Sequence, residues 1–217
     1  MNGYQFCDLA ERVLPQRDFL PEFGGKDLLL AGVDEVGRGA LFGPVVAATV
    51  VLPLSALPEL IEIGVKDSKQ LSAYRRAKLV KPIEGIVADW QIGYATASEI
   101  DELNIVQASV LAMKRAVLQL EVQPAICLVD GIVPIPELSI LQKTIVKGDC
   151  RSSAIAAASI LAKVWRDNWI ASLAGQYPQY DLAKNKGYPT QKHRLALKQY
   201  GPSAEHRLSF RPCRFSE

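Results

Sequence analysis

Three short apolar segments of this chain each run into an acid beside a glycine: LLLAGVDEVG from Leu28, AICLVDG from Ala125 and LSILQKTIVKGD from Leu138. Their length, apolarity and flanking glycines read as buried strands over Leu28–Asp34, Ala125–Val129 and Leu138–Val146. A carboxylate at such a boundary is costly unless it is paired or holds a cation. At one position alone, a local Asx-turn explains it equally well. Three strand ends with the same feature argue for a shared site, because ligands of helix-flanked sheets gather at the carboxyl ends of strands.

The remaining pattern supplies the rest of such a sheet. Val45–Leu52 is β-branched and closed by Pro53, and Val87–Thr96 alternates loosely, so an antiparallel run of three strands is expected. A helix is predicted from an N-cap at Ser98 to Leu120, and an Ala-rich one from Ser152 to about Ala174. The stretch Lys163–Asp167 is assigned to the close of that helix rather than to catalysis. Tyr177–Pro189 reads as loop, Thr190–Tyr200 as helix, and the tail as irregular. The expected class is α/β, a mixed sheet flanked by helices with a small helical C-terminal region. With 217 residues, 49% of them hydrophobic, the chain suffices for one substantial core. The expected division is an N-terminal extension of unassigned role (1–27), a catalytic core (28–176) and a basic C-terminal region packed on it (177–217).

Charge is unevenly spread. Lys184, Lys186, Lys192, Arg194, Lys198, Arg207, Arg211 and Arg214 face only Glu205 and Glu217, so the tail carries +6 of a net +2 and the rest is −4. An acidic site beside a basic, polyanion-following surface would produce that asymmetry, and so would an ordinary solvated face. Cys7, Cys127, Cys150 and Cys213 lack metal or redox spacing and read as reduced thiols. The start lacks the pattern of a signal peptide, and the apolar run Ala40–Leu54 is broken by Gly43, Pro44 and Pro53 before it reaches membrane-spanning length. A cytoplasmic chain without membrane contact is expected. No heptad or exposed apolar stripe demands a dimer, so a monomer is expected.

Asp34, Glu35, Asp130 and Asp149 form an all-oxygen donor set that favours Mg²⁺ or Mn²⁺ over zinc. Two such ions can drive phosphodiester hydrolysis without covalent catalysis. Asp34 and Glu35 are adjacent, and successive side chains of a strand point to opposite faces, so the backbone is expected to deviate at Glu35. The run Gly37-Arg38-Gly39-Ala40-Leu41-Phe42-Gly43 has the spacing G-x-G-x-x-x-G and leads into a strand, which excludes a dinucleotide fingerprint. Its glycines would let backbone approach a ligand, with Arg38 as a planar donor to phosphate. Lys69 and Lys147 are candidate phosphate contacts, with simple solvation an even alternative. His193 and His206 are assigned structural or solvated roles.

Seven pieces in order, GVDEVGRGALFGPVVAA, KDSKQL, NIVQASVLAM, VDG, KGD, SSAIAAASILAKVWRD and KGYPTQKH, resemble the type 2 ribonuclease H family in its bacterial form. The resemblance spans about Leu30 to Pro212. It implies a ribonuclease H-like fold with catalytic, metal-binding carboxylates at Asp34, Glu35, Asp130 and Asp149. It implies sugar reading by Gly37, Arg38 and Gly39, and nucleotide stacking by Tyr188. The implied substrates are RNA–DNA hybrids and duplex DNA containing ribonucleotides, cut on the 5′ side of a lone ribonucleotide to leave a 3′-hydroxyl and a 5′-phosphate. The rivals are another metal nuclease on the same fold and a noncatalytic nucleic-acid-binding module. The adjacency of Asp34 and Glu35 disfavours the exonuclease pattern, in which one residue separates the two acids, and the presence of all four acids disfavours the module.

Overall fold

The computed structural model describes residues 28–214. The extension 1–27 and Cys7 lie outside the described residues. The elements run β1 (Leu29–Val36), β2 (Val45–Pro53), α1 (Leu57–Glu62), α2 (Ala73–Ile86), β3 (Asp89–Ala95), α3 (Ala97–Leu103), α4 (Ile105–Leu118), β4 (Ile126–Asp130), β5 (Leu141–Ile145), α5 (Gly148–Arg151), α6 (Ser153–Ser172), α7 (Leu182–Asn185) and α8 (Gln191–Tyr200).

The strands form one mixed sheet in the order β3-β2-β1-β4-β5. β1, β2 and β3 pair antiparallel, while β1, β4 and β5 run parallel. Both faces are covered, which is why the strands read as near-continuous apolar runs. Leu30, Ala48, Val50, Leu52 and Leu128 pack with the Ala-rich α6 on one face. Ala31, Val33, Ala47, Val51 and Val129 pack with α4 on the other. On the α6 face the closest backbone approach is at Gly32, where a Cβ would lie 2.3 Å from the carbonyl carbon of Ala154. Only glycine lets the start of α6 sit directly on β1.

A third apolar cluster joins Leu41 and Phe42, just after β1, to Ile170 of α6 and to Tyr180, Leu182, Ala196, Leu197 and Cys213. The C-terminal region is therefore fastened to the segment that follows the first acids.

Several expectations need correction. The helix predicted over Ser98–Leu120 is two helices broken at Asn104, whose φ of 71° admits no helical continuation and whose Oδ1 accepts from the N–H groups of Val106 and Gln107. Its cap is Thr96, in a reciprocal capping box with Glu99, not Ser98. α1 and α2 were not anticipated. α2 contains Pro82, fully buries only Ile83 and partly buries Leu79, Val80 and Ile86, so its apolar face is confined to the second half and interrupted by a helix-breaking residue. The Tyr177–Pro189 loop contains a short helical turn at Pro178–Tyr180 and α7. α6 continues through Lys163–Asp167 to Ser172, so those residues lie inside the helix rather than at its close.

Candidate active site

β1 and β4 are parallel neighbours in the register Val33↔Val129, which sets Asp34 level with Asp130 at adjacent strand ends. β5 places Ile145 opposite Asp130, and the chain then turns through Lys147, in the left-handed region at φ 54°, to Gly148 and Asp149. The Gly148 N–H donates to Asp130 Oδ1 at 2.6 Å. Oxygens of Asp34, Glu35 and Asp130 lie within 4.8 Å of one another.

The backbone does not deviate at Glu35 as expected: β1 stays in register with β2 through Glu35↔Ala47 and Val36↔Val46. Asp34 and Glu35 leave opposite faces of a regular strand, yet their carboxylates converge, and the two methylenes of glutamate supply the reach. Arg38 holds Glu35 Oε1 at 3.0 Å, and the Glu35 N–H donates to Asp34 Oδ1 at 2.7 Å.

Asp149 belongs to an adjoining group with Asp67 and Cys150, so the four predicted acids are not one equidistant ring. Its Oδ2 accepts from Lys69 Nζ at 2.9 Å. Asp149 still acts electrostatically on both Asp34 and Asp130. Lys69 is thus at the site. Lys147 is exposed, and among the described residues no hydrogen bond or ion pair joins its ammonium to the carboxylates.

The electrostatics are those of crowded acids. Burial, then the charges of Glu35, Asp130 and Asp149, push Asp34 well above the usual carboxylate range, opposed by a hydrogen bond from Ser159. Burial also raises Glu35, against the pull of Arg38, and raises Asp130, against the Gly148 N–H. Burial would lower Lys69, but its hydrogen bond and attraction to Asp149 outweigh that and hold it above the ordinary lysine value. Crowded, buried oxygen donors without histidine fit a hard divalent cation, which would neutralise the repulsion that raises these groups.

The Gly37–Pro44 turn lies beside this cluster. Gly37 is buried at φ +91°, and a Cβ there would meet Arg166 Nε at 2.2 Å. A side chain here is excluded by the protein interior as well as by the positive φ. Gly39 is the opposite case: it is exposed, and a Cβ there meets nothing within 4 Å. The N–H groups of Leu41 and Phe42 donate to the Gly187 carbonyl at 2.8 and 3.3 Å, which ties the turn to the segment bearing Tyr188. Tyr188 is half-buried, with Lys163 Nζ 5.0 Å and the Arg166 guanidinium 5.4 Å from its ring centroid.

Sequence reasoning missed Arg166, Arg207 and the serine pair. Ser68 and Ser159 hydroxyls are 2.9 Å apart, behind Asp34. Arg166 and Arg207 are fully buried. The sequence offers no usable signal for either arginine, since Arg166 stands in the charged stretch Lys163–Asp167 and Arg207 in the irregular tail. His193 and His206 are buried and structural, and the solvated alternative falls.

A mixed five-stranded sheet with acids gathered at the ends of its parallel strands defines a ribonuclease H-like hydrolase. The model of the ribonuclease HII family matches residues 31–213. The chain is 59% identical over 196 residues to ribonuclease HII of Nostoc sp., covering 90% of this chain and 87% of that one. It is 53% identical over 185 residues to that of Synechocystis sp., covering 85% and 96%. The chain therefore belongs to the ribonuclease HII family, metal-dependent enzymes that cleave RNA in RNA–DNA hybrids and at embedded ribonucleotides. Among solved structures, ribonuclease H2 from Pyrococcus horikoshii superposes with a TM-score of 0.75 at 30% identity, over 86% of this chain and 96% of that one. A Bst ribonuclease HIII crystallised with Mn²⁺ shares the fold, with a TM-score of 0.71 at 17% identity over 97% and 72%.

Proposed function

We propose that Asp34, Glu35, Asp130 and Asp149 are the ligands for divalent metal in this chain, with Mg²⁺ or Mn²⁺ as the working ion. The observation that carries this reading is the convergence of three carboxylates within 4.8 Å at neighbouring strand ends, with the charge of Asp149 acting on Asp34 and Asp130. When bound, divalent ions would offset charge on the scissile phosphate and make water a stronger nucleophile. Asp34, rigid on a buried strand, fixes the centre of the set. Arg38 keeps Glu35 turned toward it, and the Gly148 N–H orients Asp130. Lys69, whose side chain is 80% exposed, reaches from Asp149 toward an incoming phosphate, and Lys147 supplies a second, looser contact.

The Gly37-Arg38-Gly39 turn is the sugar reader. A 2′-hydroxyl both donates and accepts, and Gly39 leaves open space in which it can meet backbone groups. Tyr188 stacks on the following sugar. Incision then falls on the 5′ side of the ribonucleotide, leaving a 3′-hydroxyl and a 5′-phosphate. The basic C-terminal region 177–217 holds phosphates of the duplex without reading sequence. Cys127 and Cys213, buried and unbridged, support a reducing, cytoplasmic setting for an enzyme that acts as a monomer, which light scattering would check. No helix among the described residues is long and apolar enough to cross a membrane.

The test is cleavage, in Mg²⁺ and in Mn²⁺, of one duplex carrying no, one or several ribonucleotides, with the product ends identified. Cutting of the ribonucleotide-free duplex, or turnover without divalent metal, overturns the reading. Tyr188→Ala should slow cutting at the single ribonucleotide far more than it lowers the melting temperature.

A further inference from the structure

We propose that Arg166 is a positioning residue for sugar discrimination, locking the Gly37–Pro44 turn and Tyr188 into one rigid unit. The proposal rests on the sugar-reading role given above to that turn and to Tyr188.

Arg166 is fully buried on α6. Its Nε donates to the Pro44 carbonyl at 3.0 Å and its Nη2 to the Phe42 carbonyl at 3.0 Å, both in the turn. Its Nη1 donates to the Lys186 carbonyl at 2.9 Å, two residues before Tyr188. The same guanidinium lies 5.4 Å from the Tyr188 ring centroid, within cation–π range. One side chain thus fixes both halves of the reader and the attitude of the ring between them.

Sheet packing alone does not account for such a group. These three bonds all go to carbonyls and none to a carboxylate, so among the described residues no hydrogen-bonded counter-ion holds the positive charge, and Asp167 acts on it only electrostatically. Burial pulls Arg166 below the ordinary arginine value. An apolar side chain would fill the same interior at lower cost. What it would not supply is a planar fork of donors that reaches three carbonyls on two chain segments.

The Tyr188 segment is shaped to meet that fork. Lys186 and Gly187 both sit in the left-handed region, at φ 53° and 84°, an unfavourable conformation for lysine. The consequence is that two successive carbonyls turn inward: Lys186 to Arg166, and Gly187 to the N–H groups of Leu41 and Phe42. Arg207 braces the other side of the turn, donating to the Gly43 carbonyl at 2.9 Å and the Arg38 carbonyl at 2.8 Å. It makes no such bond to the Tyr188 segment. Arg166 alone of the two arginines spans both.

The experiment compares kcat and KM of wild type and Arg166→Lys on two duplexes, one with a single embedded ribonucleotide and one a continuous hybrid. Lysine keeps the charge and loses the fork. The expected result is a fall of about tenfold in the preference for the single ribonucleotide, the scale of one charge-assisted hydrogen bond. It should appear in kcat, with KM for the continuous hybrid unchanged. A double-mutant cycle with Tyr188→Ala should be non-additive, because the lysine acts through a ring that is no longer there. A merely structural role would slow both substrates alike and give additive effects, and that outcome overturns the proposal.

Tyr188→Ala and Gly39→Val separate the two layers of the argument. If both leave the preference intact, the sugar-reading assignment has failed and takes this proposal with it. If they change it while Arg166→Lys does not, the proposal alone is wrong. Should Arg166→Lys not fold, Gly187→Ala forces the same junction apart with the guanidinium intact, since a Cβ there would lie 2.7 Å from the Phe42 carbonyl oxygen. Retained preference in that variant is equally decisive against the proposal.

Discussion

Acidification should destabilise this protein through a buried histidine pair that is not part of the carboxylate cluster. His193 and His206 face each other with Nε2 atoms 3.0 Å apart, both fully enclosed. The surrounding bonds dictate which nitrogen carries each proton. His193 Nδ1 meets the Tyr188 carbonyl at 3.0 Å, and a carbonyl only accepts, so Nδ1 is protonated and Nε2 of the neutral ring is bare. His206 Nε2 must then donate to it, leaving His206 Nδ1 to accept from the Ser203 N–H at 3.0 Å. Every ring nitrogen is satisfied while both rings are neutral, and any added proton sets two donors against each other. Burial, and then the neighbouring His193, hold His206 down at about 3. Burial likewise lowers His193.

The unfolded chain protonates each imidazole near 6.5, whereas the native pair stays neutral, so the unfolded state takes up protons first as pH falls. The stabilisation is complete above pH 6.5 and is lost progressively from there toward 3. At pH 5, His206 alone withdraws about 2 kcal/mol, and His193 adds to that. Asp34 and Glu35, held above their ordinary values, act with the opposite sign, but they are common to wild type and variant. The assay is urea unfolding of wild type and His206→Gln, whose amide can still donate to His193, between pH 7.5 and 5. The variant should be the less stable at pH 7.5, and the gap should narrow by about 2 kcal/mol at pH 5. A gap independent of pH would refute the assignment of a neutral, proton-locked pair.

Asp34→Asn should cut turnover by at least about two orders of magnitude, the scale of losing one preorganised electrostatic partner. The metal-free variant should melt higher than metal-free wild type, because a charge repelled by three neighbours is gone; melting curves with and without Mg²⁺ would show both effects. Gly32→Ala should cost about 3 kcal/mol or more in urea unfolding, since its Cβ would strike the backbone of α6; a neutral result would contradict the packing of that helix on β1. Neutralising Lys184, Lys186 and Lys192 together should flatten the salt dependence of hybrid binding by less than the roughly 2.7 expected of three free phosphate contacts. Two of the three are already engaged, Lys192 with Asp181 at 3.2 Å and Lys186 with the Ala183 carbonyl at 2.7 Å; an unchanged slope would show that these charges face away from the duplex.

The sheet strands and the acids at their ends are legible in one dimension. Strands buried on both faces must be apolar throughout, so LLLAGVD, VVAATVVL and AICLVD are legible as strands, and the charges at their ends stand out against that background. The helix-borne Arg166 and the tail-borne Arg207 were not legible, because an arginine in one dimension looks like any solvated cation. Only packing shows that Arg166 reaches residues more than a hundred positions earlier in the chain. The same holds for Gly37, whose neighbours in sequence suggested a ligand and whose neighbour in space is a guanidinium. Periodicity also failed for α2, whose short apolar face is interrupted by Pro82, and at Asn104, where one positive φ divides a continuous helical pattern. Tertiary structure decided that Asp149 sits with Lys69 in an adjoining group rather than in an equidistant ring. Local patterns are set by the burial of a residue's own face, whereas a site is set by which distant segments the folded chain brings to the same place.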